Sequence, residues 1–455
     1  MAINNVDEDE LFRVLNTELS ASYPVTSPEH LYGREVVLER VRTSLAMLGR
    51  QIFIYGDRGV GKTSLAQTAA FRYQSADDSP VITSCHKDST FETVMQDVIR
   101  KLRRDDPYVT KRTAQTKTGL TGGLTKGPLS LGMTGEKSAQ KEETPTPAVP
   151  DANAAATLML HEARGNSTQR LVVIDEFDVM GTAQRSHFAD FLKQVGDQRV
   201  PVKFIFCGIG ETVDDLLEAH GSANRYFDGV KVERLNVTSR WEIIDNSAKA
   251  LGLSVDDEVR HRIAAISDGF PVYIHRICEK LYQVVFNLEP TIEVIDVTHL
   301  DAAITETILS IEHFIRKPYD SAIMRDDGDA LERILWALAD HSDLTRTQKS
   351  IHVSLAKILD ALNVPPIGEK DFVRLIAKLR GGKEPIVQLH KGRRGLNEFR
   401  ENIFRGYVRL RAEARGIRLA LDYASGPDPR NDRGPRVTTG VSPLFVRPSF
   451  GRSPR

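Results

Sequence analysis

The stretch GDRGVGKTS at 56–64 has the residue types and spacing to hold a phosphate. It follows the apolar and β-branched run QIFIY and precedes LAQTAAFRY, whose Leu65, Ala69 and Tyr73 fall at helical spacing. A glycine loop between a buried strand and a helix N-terminus aims backbone N–H groups, and the positive end of the helix dipole, at an anion. Gly56, Asp57, Arg58, Gly59, Val60, Gly61 and Ser64 would form that cradle. Lys62 would reach the β- and γ-phosphates, and the Thr63 hydroxyl would ligate Mg²⁺. The bland alternative, a glycine turn that happens to hold a lysine, fits poorly with the flanking strand and helix.

The second signal is IDEFD at 174–178, at the end of the continuous apolar run LVVI. Such a run marks a strand buried on both faces of a parallel sheet. Asp175 is expected to hold Mg²⁺ through a water, paired with Thr63, and Glu176 to polarise an attacking water. Two adjacent carboxylates at the tip of a buried strand must be solvated or paired, so a purely structural role fits less well. No Asn-Lys-x-Asp or Thr-Lys-x-Asp follows the last expected strand, which favours ATP over GTP.

These residues need elements to position them. A chain of 455 residues suggests two or three domains. With 40% hydrophobic and 27% charged residues it reads as globular and soluble, and a net charge of −1 gives no global field for nucleic acid or membrane. Cys85, Cys207 and Cys278 stand singly, without metal-ligand spacing, as small core residues of a reducing cytosol. The acidic N-terminus lacks signal-peptide features and no apolar run would span a bilayer, so the expected location is cytoplasmic, with no membrane partner.

Strands expected at 51–55, 81–85, 171–174, 202–210 and near 230–235 alternate with helices. That pattern predicts an α/β fold with a parallel, doubly wound sheet. Residues 1–27 read as a short acidic lead, 28–235 as the core, and 104–152 as a flexible, mildly basic insertion within it. Leu129, Leu131 and Met133 leave room there for a small hairpin. Helices separated by Gly and Pro breakers over 236–315 predict a helical lid, and 316–328 a linker. Three amphipathic helices and a β-ribbon over 329–416 have the layout of a winged helix, and 417–455 reads as a disordered tail.

LYGRE (31–35), GDRGVGKTSLA, LVVIDEFD, the segment 208–235 and DGFPVYIHRICEKL (268–281) resemble, in that order, the origin-recognition-like AAA+ P-loop ATPases. They are also similar to the related archaeal-type and signal-transduction (STAND) ATPases; the likeness spans about 28–290. It implies the branch of P-loop ATPases with an extra strand between the two motifs. It implies that Tyr32, Gly33 and Arg34 line the adenine pocket and that Pro271 belongs to the lid that closes it. His275 and Arg276 become candidates for the second sensor of the γ-phosphate, and Arg225 for an arginine finger acting on a neighbouring subunit. One departure stands out: Cys207, Gly208, Ile209 and Gly210 occupy the strand end where many relatives place a polar sensor, with Glu211 or Thr212 as weak substitutes.

The third unit is rich in cations: Arg374, Lys378, Arg380, Lys383, Lys391, Arg393, Arg394, Arg400, Arg405, Arg409 and Arg411. Through 374–411 it could grip DNA phosphates, with Arg393 and Arg394 at a wing tip, or serve as a packing module with a solvated charged face. The expected function is a Mg²⁺-dependent ATPase that drives a conformational or assembly switch, as a homo-oligomer or with a protein partner. The alternative is a DNA- or protein-binding adaptor that holds ATP with little turnover.

Overall fold

The computed structural model describes residues 3–4, 6–20, 23–75, 78–103, 149, 151–163, 169–210, 226–288 and 291–419. The hairpin reading at 129–133, nearly all of the insertion, Glu211, Thr212 and the tail from 420 lie outside these residues.

Five parallel strands form the central sheet: β1 (Gln51–Gly56), β2 (Val81–Ser84), β3 (Arg170–Asp175), β4 (Val202–Ile209) and β5 (Phe227–Lys231), in the order β2-β3-β4-β1-β5. β4 therefore separates β1, which feeds the glycine loop, from β3, which carries the acidic pair. Their register sets Ile54 beside Cys207 and Val173 beside Ile205. Side chains alternate between the two faces. Ile52, Ile54, Val173 and Ile205 face one core, with α2 (Glu35–Ala46) and α3 (Lys62–Tyr73). Phe53, Val172, Ile174, Phe204 and Phe206 face another, under α4 (Phe91–Arg103), α5 (Ala152–Ala163) and α6 (Thr182–Asp197). β5 begins and ends earlier than its sequence suggests, because Val230 rather than the following alternation pairs with Ile54 of β1.

The acidic lead is a helix, α1 (Glu8–Glu18), capped by the Asp7 carboxylate, which accepts from the Glu10 N–H at 2.8 Å. Leu11, Val14 and Leu15 bury one face against α7 (Val237–Ala250). Spacing of three and four residues was available in the sequence there, masked by the surrounding acids.

The lid consists of α7, α8 (Asp257–Ser267), α9 (Pro271–Phe286) and α10 (Val297–Ser310), with a two-stranded parallel ribbon, β6 (Ser254–Val255) and β7 (Val294–Ile295). The linker expected at 316–328 is mostly helix instead: α11 (His313–Ile323) runs through Pro318. Buried Ile315, Tyr319 and Ala322 hold it, and the Tyr319 hydroxyl donates to Glu332 at 2.6 Å. Packing outweighs the proline here.

The third unit runs α12 (Gly328–Ala339), β8 (Thr345–Thr347), α13 (Gln348–Ala361), α14 (Glu369–Arg380), β9 (Val387–Leu389), β10 (Leu396–Phe399) and α15 (Phe404–Glu413). Its strands form an antiparallel sheet in the order β8-β10-β9. The unit packs directly on the lid. Gly406 lies so close to Tyr273 of α9 that a Cβ would sit 2.3 Å from its ring, and the Tyr273 hydroxyl donates to the Ile403 carbonyl at 2.7 Å.

A buried charge cluster joins three parts of the chain. Asp268, at the end of α8, takes Arg405 at 2.6 Å, Arg234 at 2.8 Å and Arg409 at 2.9 Å. Spare guanidinium donors reach carbonyls of Ala265, Ala339, His341, Ser342 and Asp343. Arg262 adds a buried pair with Glu413 at 2.6 Å. Arg405 and Arg409 are thus buried structural residues, and Arg411 is paired with Glu332, so these three leave the set of cations offered to DNA. Lys378 and Arg374 are also paired, with Asp327. Lys383, Lys391, Arg393, Arg394 and Arg400 stay exposed around the β9–β10 turn.

Candidate functional site

The glycine loop folds as its composition requires. Gly56 has φ +147°, and a Cβ there would stand 2.4 Å from the Val232 carbonyl oxygen, so the strand can leave the sheet only at a glycine. Gly59 (φ +79°) and Gly61 (φ +94°) take left-handed conformations, and α3 starts at Lys62. This brings successive N–H groups to the N-terminus of α3.

Facing the loop is a cavity of about 400 Å³, within the range of about 300–1,000 Å³ usual for small-molecule sites. Arg58, Gly59, Val60, Gly61, Lys62, Thr63, Ser64, Asp175 and Glu176 line it, together with Tyr32, Arg34, Pro271 and His275. The structure therefore gathers the loop, the acidic pair, the LYGRE segment and the lid helix around one space. Gly56 and Asp57 do not line it: Gly56 sets the turn, and Asp57 offers its carbonyl to Lys62 Nζ at 2.8 Å and its carboxylate to Asn402 Nδ2 at 3.0 Å.

Arg276 also stays out of the cavity. It turns away from the site and pairs with Glu279 and Glu312, each at 3.2 Å. His275, one residue before it, faces inward because it shares a helix face with Pro271, four residues earlier. Arg225 lies outside the described residues.

Burial lowers the pKa of Lys62, a shift opposed by the nearby acidic groups, Asp178, Asp175 and Asp57 among them. The Asp175 carboxylate accepts the Glu176 N–H at 2.9 Å, and Glu176 adopts a left-handed φ of +53° that projects it from the strand end. Such a conformation is uncommon for a non-glycine residue. Phe177, fully buried edge-on against Phe53, Phe188 and Phe206, anchors the turn. Burial lowers Arg34 to about 10, and its NH2 donates to the carbonyls of Val60, in the glycine loop, at 2.8 Å and Glu233 at 2.7 Å. His275 is pushed down to about 4, by burial first and by His30 second.

Three contributors were not singled out from sequence. Asp178 lines the cavity and accepts the Ile209 N–H at 2.8 Å, placing a carboxylate at the β4 tip whose own residues lack a polar side chain. Its position in IDEFD was the available signal. Ser20, Tyr23, Pro24 and Val25 supply a wall: the Val25 N–H donates to Ser64 Oγ at 3.1 Å, and Thr68 Oγ1 donates to the Val25 carbonyl at 3.0 Å. The third unit touches the loop from outside. Asn402 bonds Asp57, Ile403 lies where a Cβ on Gly59 would reach, and Glu401 stands 3.7 Å from Arg58. Nothing in the sequence pairs these distant segments.

The donor set fits a nucleotide with a hard cation. Thr63 and Asp175 offer oxygen ligands to the same cavity, and Mg²⁺ takes few protein ligands beside phosphate and water. Among the described residues there is no cluster of three or more His, Cys, Asp or Glu that could hold a metal. Also among those residues, no helix is long and apolar enough to cross a membrane.

Residues 30–205 match the family model described as the AAA ATPase domain. No curated protein matched the chain by sequence. Among solved structures, the chain is similar to a Walker-type ATPase of Pyrococcus abyssi, with 15% identity, 86% of this chain and 98% of that one covered, and a TM-score of 0.48. It is similar to Cdc6p from Pyrobaculum aerophilum, with 14% identity, coverage of 90% and 98%, and a TM-score of 0.43. The Orc1 protein of Aeropyrum pernix, solved in complex with DNA, has 13% identity, coverage of 85% and 94%, and a TM-score of 0.41.

Proposed function

We propose, taking residues 30–205 as an AAA ATPase domain, that the protein binds ATP with Mg²⁺ and hydrolyses it to drive a conformational or assembly switch. The observation that carries this reading is the single cavity shared by Lys62, Thr63, Asp175, Glu176 and the lid residues Pro271 and His275. A nucleotide there would touch both the sheet and the lid, so its phosphate state would bias their relative position. The loop amides and Lys62 would hold the β- and γ-phosphates. Bound through Thr63 and Asp175, Mg²⁺ would neutralise phosphate charge. Glu176 would orient the attacking water, and in a homo-oligomer Arg225 would be the finger supplied to the neighbouring site.

A second reading, an adaptor that holds ATP with little turnover, is favoured by one observation. The third unit is clamped to both loop and lid, through Asn402 on Asp57 and through the Asp268 cluster. In either reading the helix and strand order of that unit supports a winged-helix-like module. The exposed Lys391, Arg393 and Arg394 would be its DNA contact.

The test is ATP turnover by the purified protein with Mg²⁺, with and without double-stranded DNA, beside Lys62→Ala. The switch reading expects turnover that Lys62→Ala abolishes, and Glu176→Gln should bind ATP yet lose turnover by at least about a hundredfold. Tight ATP binding with no turnover above that of Lys62→Ala would select the adaptor.

A further inference from the structure

Beside the phosphate loop the cavity has apolar walls from Leu31, Leu235, Ile243 and Pro271, suited to a flat heterocycle. The polar groups there are nearly all committed. Arg34 is spent on two carbonyls, and the Tyr32 hydroxyl is engaged by Asn246. His30 Nδ1 faces the Glu18 carboxylate at 3.5 Å, an ion contact without hydrogen-bond geometry. His275 differs. It is 6% exposed, lines the cavity, and its Nδ1 has no hydrogen-bond partner. A buried polar nitrogen without a partner is costly, so a residue kept this way points to a partner that arrives with a ligand.

We propose that His275, as a neutral imidazole, hydrogen-bonds the polar edge of the nucleotide base and so determines base specificity, rather than sensing the γ-phosphate. The proposal rests on the nucleotide-binding reading above and deepens it. Two further observations support it. His275 feels His30, from the segment just before Tyr32, whereas the groups that act on Lys62 are Cys207, Asp178, Asp175 and Asp57, so the two side chains have different neighbours along the cavity. Burial also keeps the ring uncharged at neutral pH, and a neutral ring lacks the charge a γ-phosphate reader needs. An uncharged imidazole instead offers one donor and one acceptor, which match the ring nitrogens and exocyclic group of a purine.

Calorimetric titration of the full chain with Mg²⁺ and ATP, GTP, 2′-deoxy-ATP or inorganic tripolyphosphate tests this, in wild type, His275→Leu and His275→Asn. His275→Leu should weaken ATP and 2′-deoxy-ATP by about tenfold alike, shrink the ATP-to-GTP preference by a similar factor, and leave tripolyphosphate within about threefold. His275→Asn, which keeps a donor and an acceptor, should bind ATP within about threefold of wild type. An unchanged ATP-to-GTP ratio in His275→Leu overturns the proposal. So does a loss confined to nucleotides with a 2′-hydroxyl, a matching loss of tripolyphosphate, or an Asn variant as weak as Leu. If wild type binds neither nucleotide nor tripolyphosphate, the nucleotide-site reading itself fails and this one with it. Tripolyphosphate binding without base discrimination removes only the role of His275.

Discussion

Asp178 puts a carboxylate at a strand tip that has none of its own. The tip of β4 reads Cys207, Gly208, Ile209, and none of these can place a polar group against a phosphate or a water. The Asp178 carboxylate, three residues beyond Asp175, is tethered there by the Ile209 N–H at 2.8 Å. Asp178→Asn keeps the shape and removes the charge, and it should lower kcat by about tenfold or more while KM changes little. An unchanged kcat in steady-state assays would show that the carboxylate only pins the strand tip. The loop and the acidic strand end, which line one cavity, were legible because their spacing is a local code. The separation of His275 from Arg276 was not. Both lie on one helix, and only the packing of Pro271 and the acids Glu279 and Glu312 decide which of them faces inward.

At the scale of elements, the alternation of buried strands and helices was readable because apolar periodicity reports burial directly, whereas the strand interposed between β1 and β3 was implied only by the family resemblance. Several elements were not readable, the two-residue β6 and β7 among them. α1 hid among acids, α11 hid behind Pro318, and β8 is only the three residues Thr345–Thr347, too short to show a period. The same limit applied to the cations of the third unit. A row of arginines reads as a surface until Asp268 and backbone carbonyls are found to bury two of them. The tight seam between α9 and α15 gives a test at this scale. Gly406→Ala would force a methyl group into the Tyr273 ring and should destabilise the fold by about 1–3 kcal/mol in chemical denaturation. Replacing Gly416, where a Cβ meets open space but the backbone is left-handed at φ +74°, should cost less, about 1 kcal/mol.

Over the whole molecule, stability depends on keeping one base neutral and one acid charged. His275 is depressed to about 4 in the folded chain, whereas an unfolded imidazole takes its proton near 6.5. The unfolded state therefore binds more protons between these values, and stability present above about pH 6.5 falls as pH drops toward 4, by about 3 kcal/mol at most. Burial alone would raise Asp268, but Arg234, Arg405 and Arg409 outweigh it and hold the carboxyl well below the usual range. Its contribution is present above the ordinary carboxylate pKa and is lost in stronger acid. Melting temperatures should thus decline from pH 7 to 4.5, with a shallower decline in His275→Leu. Asp268→Asn, which strands three guanidinium groups around a neutral amide, should cost about 3–5 kcal/mol at pH 7. The wall formed by Ser20, Tyr23, Pro24 and Val25 has a practical meaning for anyone trimming this chain. The match to the AAA ATPase domain model starts at residue 30, and a protein cut to that boundary would keep every motif residue. It would also lose one side of the cavity and the partner of Ser64 and Thr68, so a fragment chosen by homology alone should be soluble in appearance yet poor at retaining nucleotide.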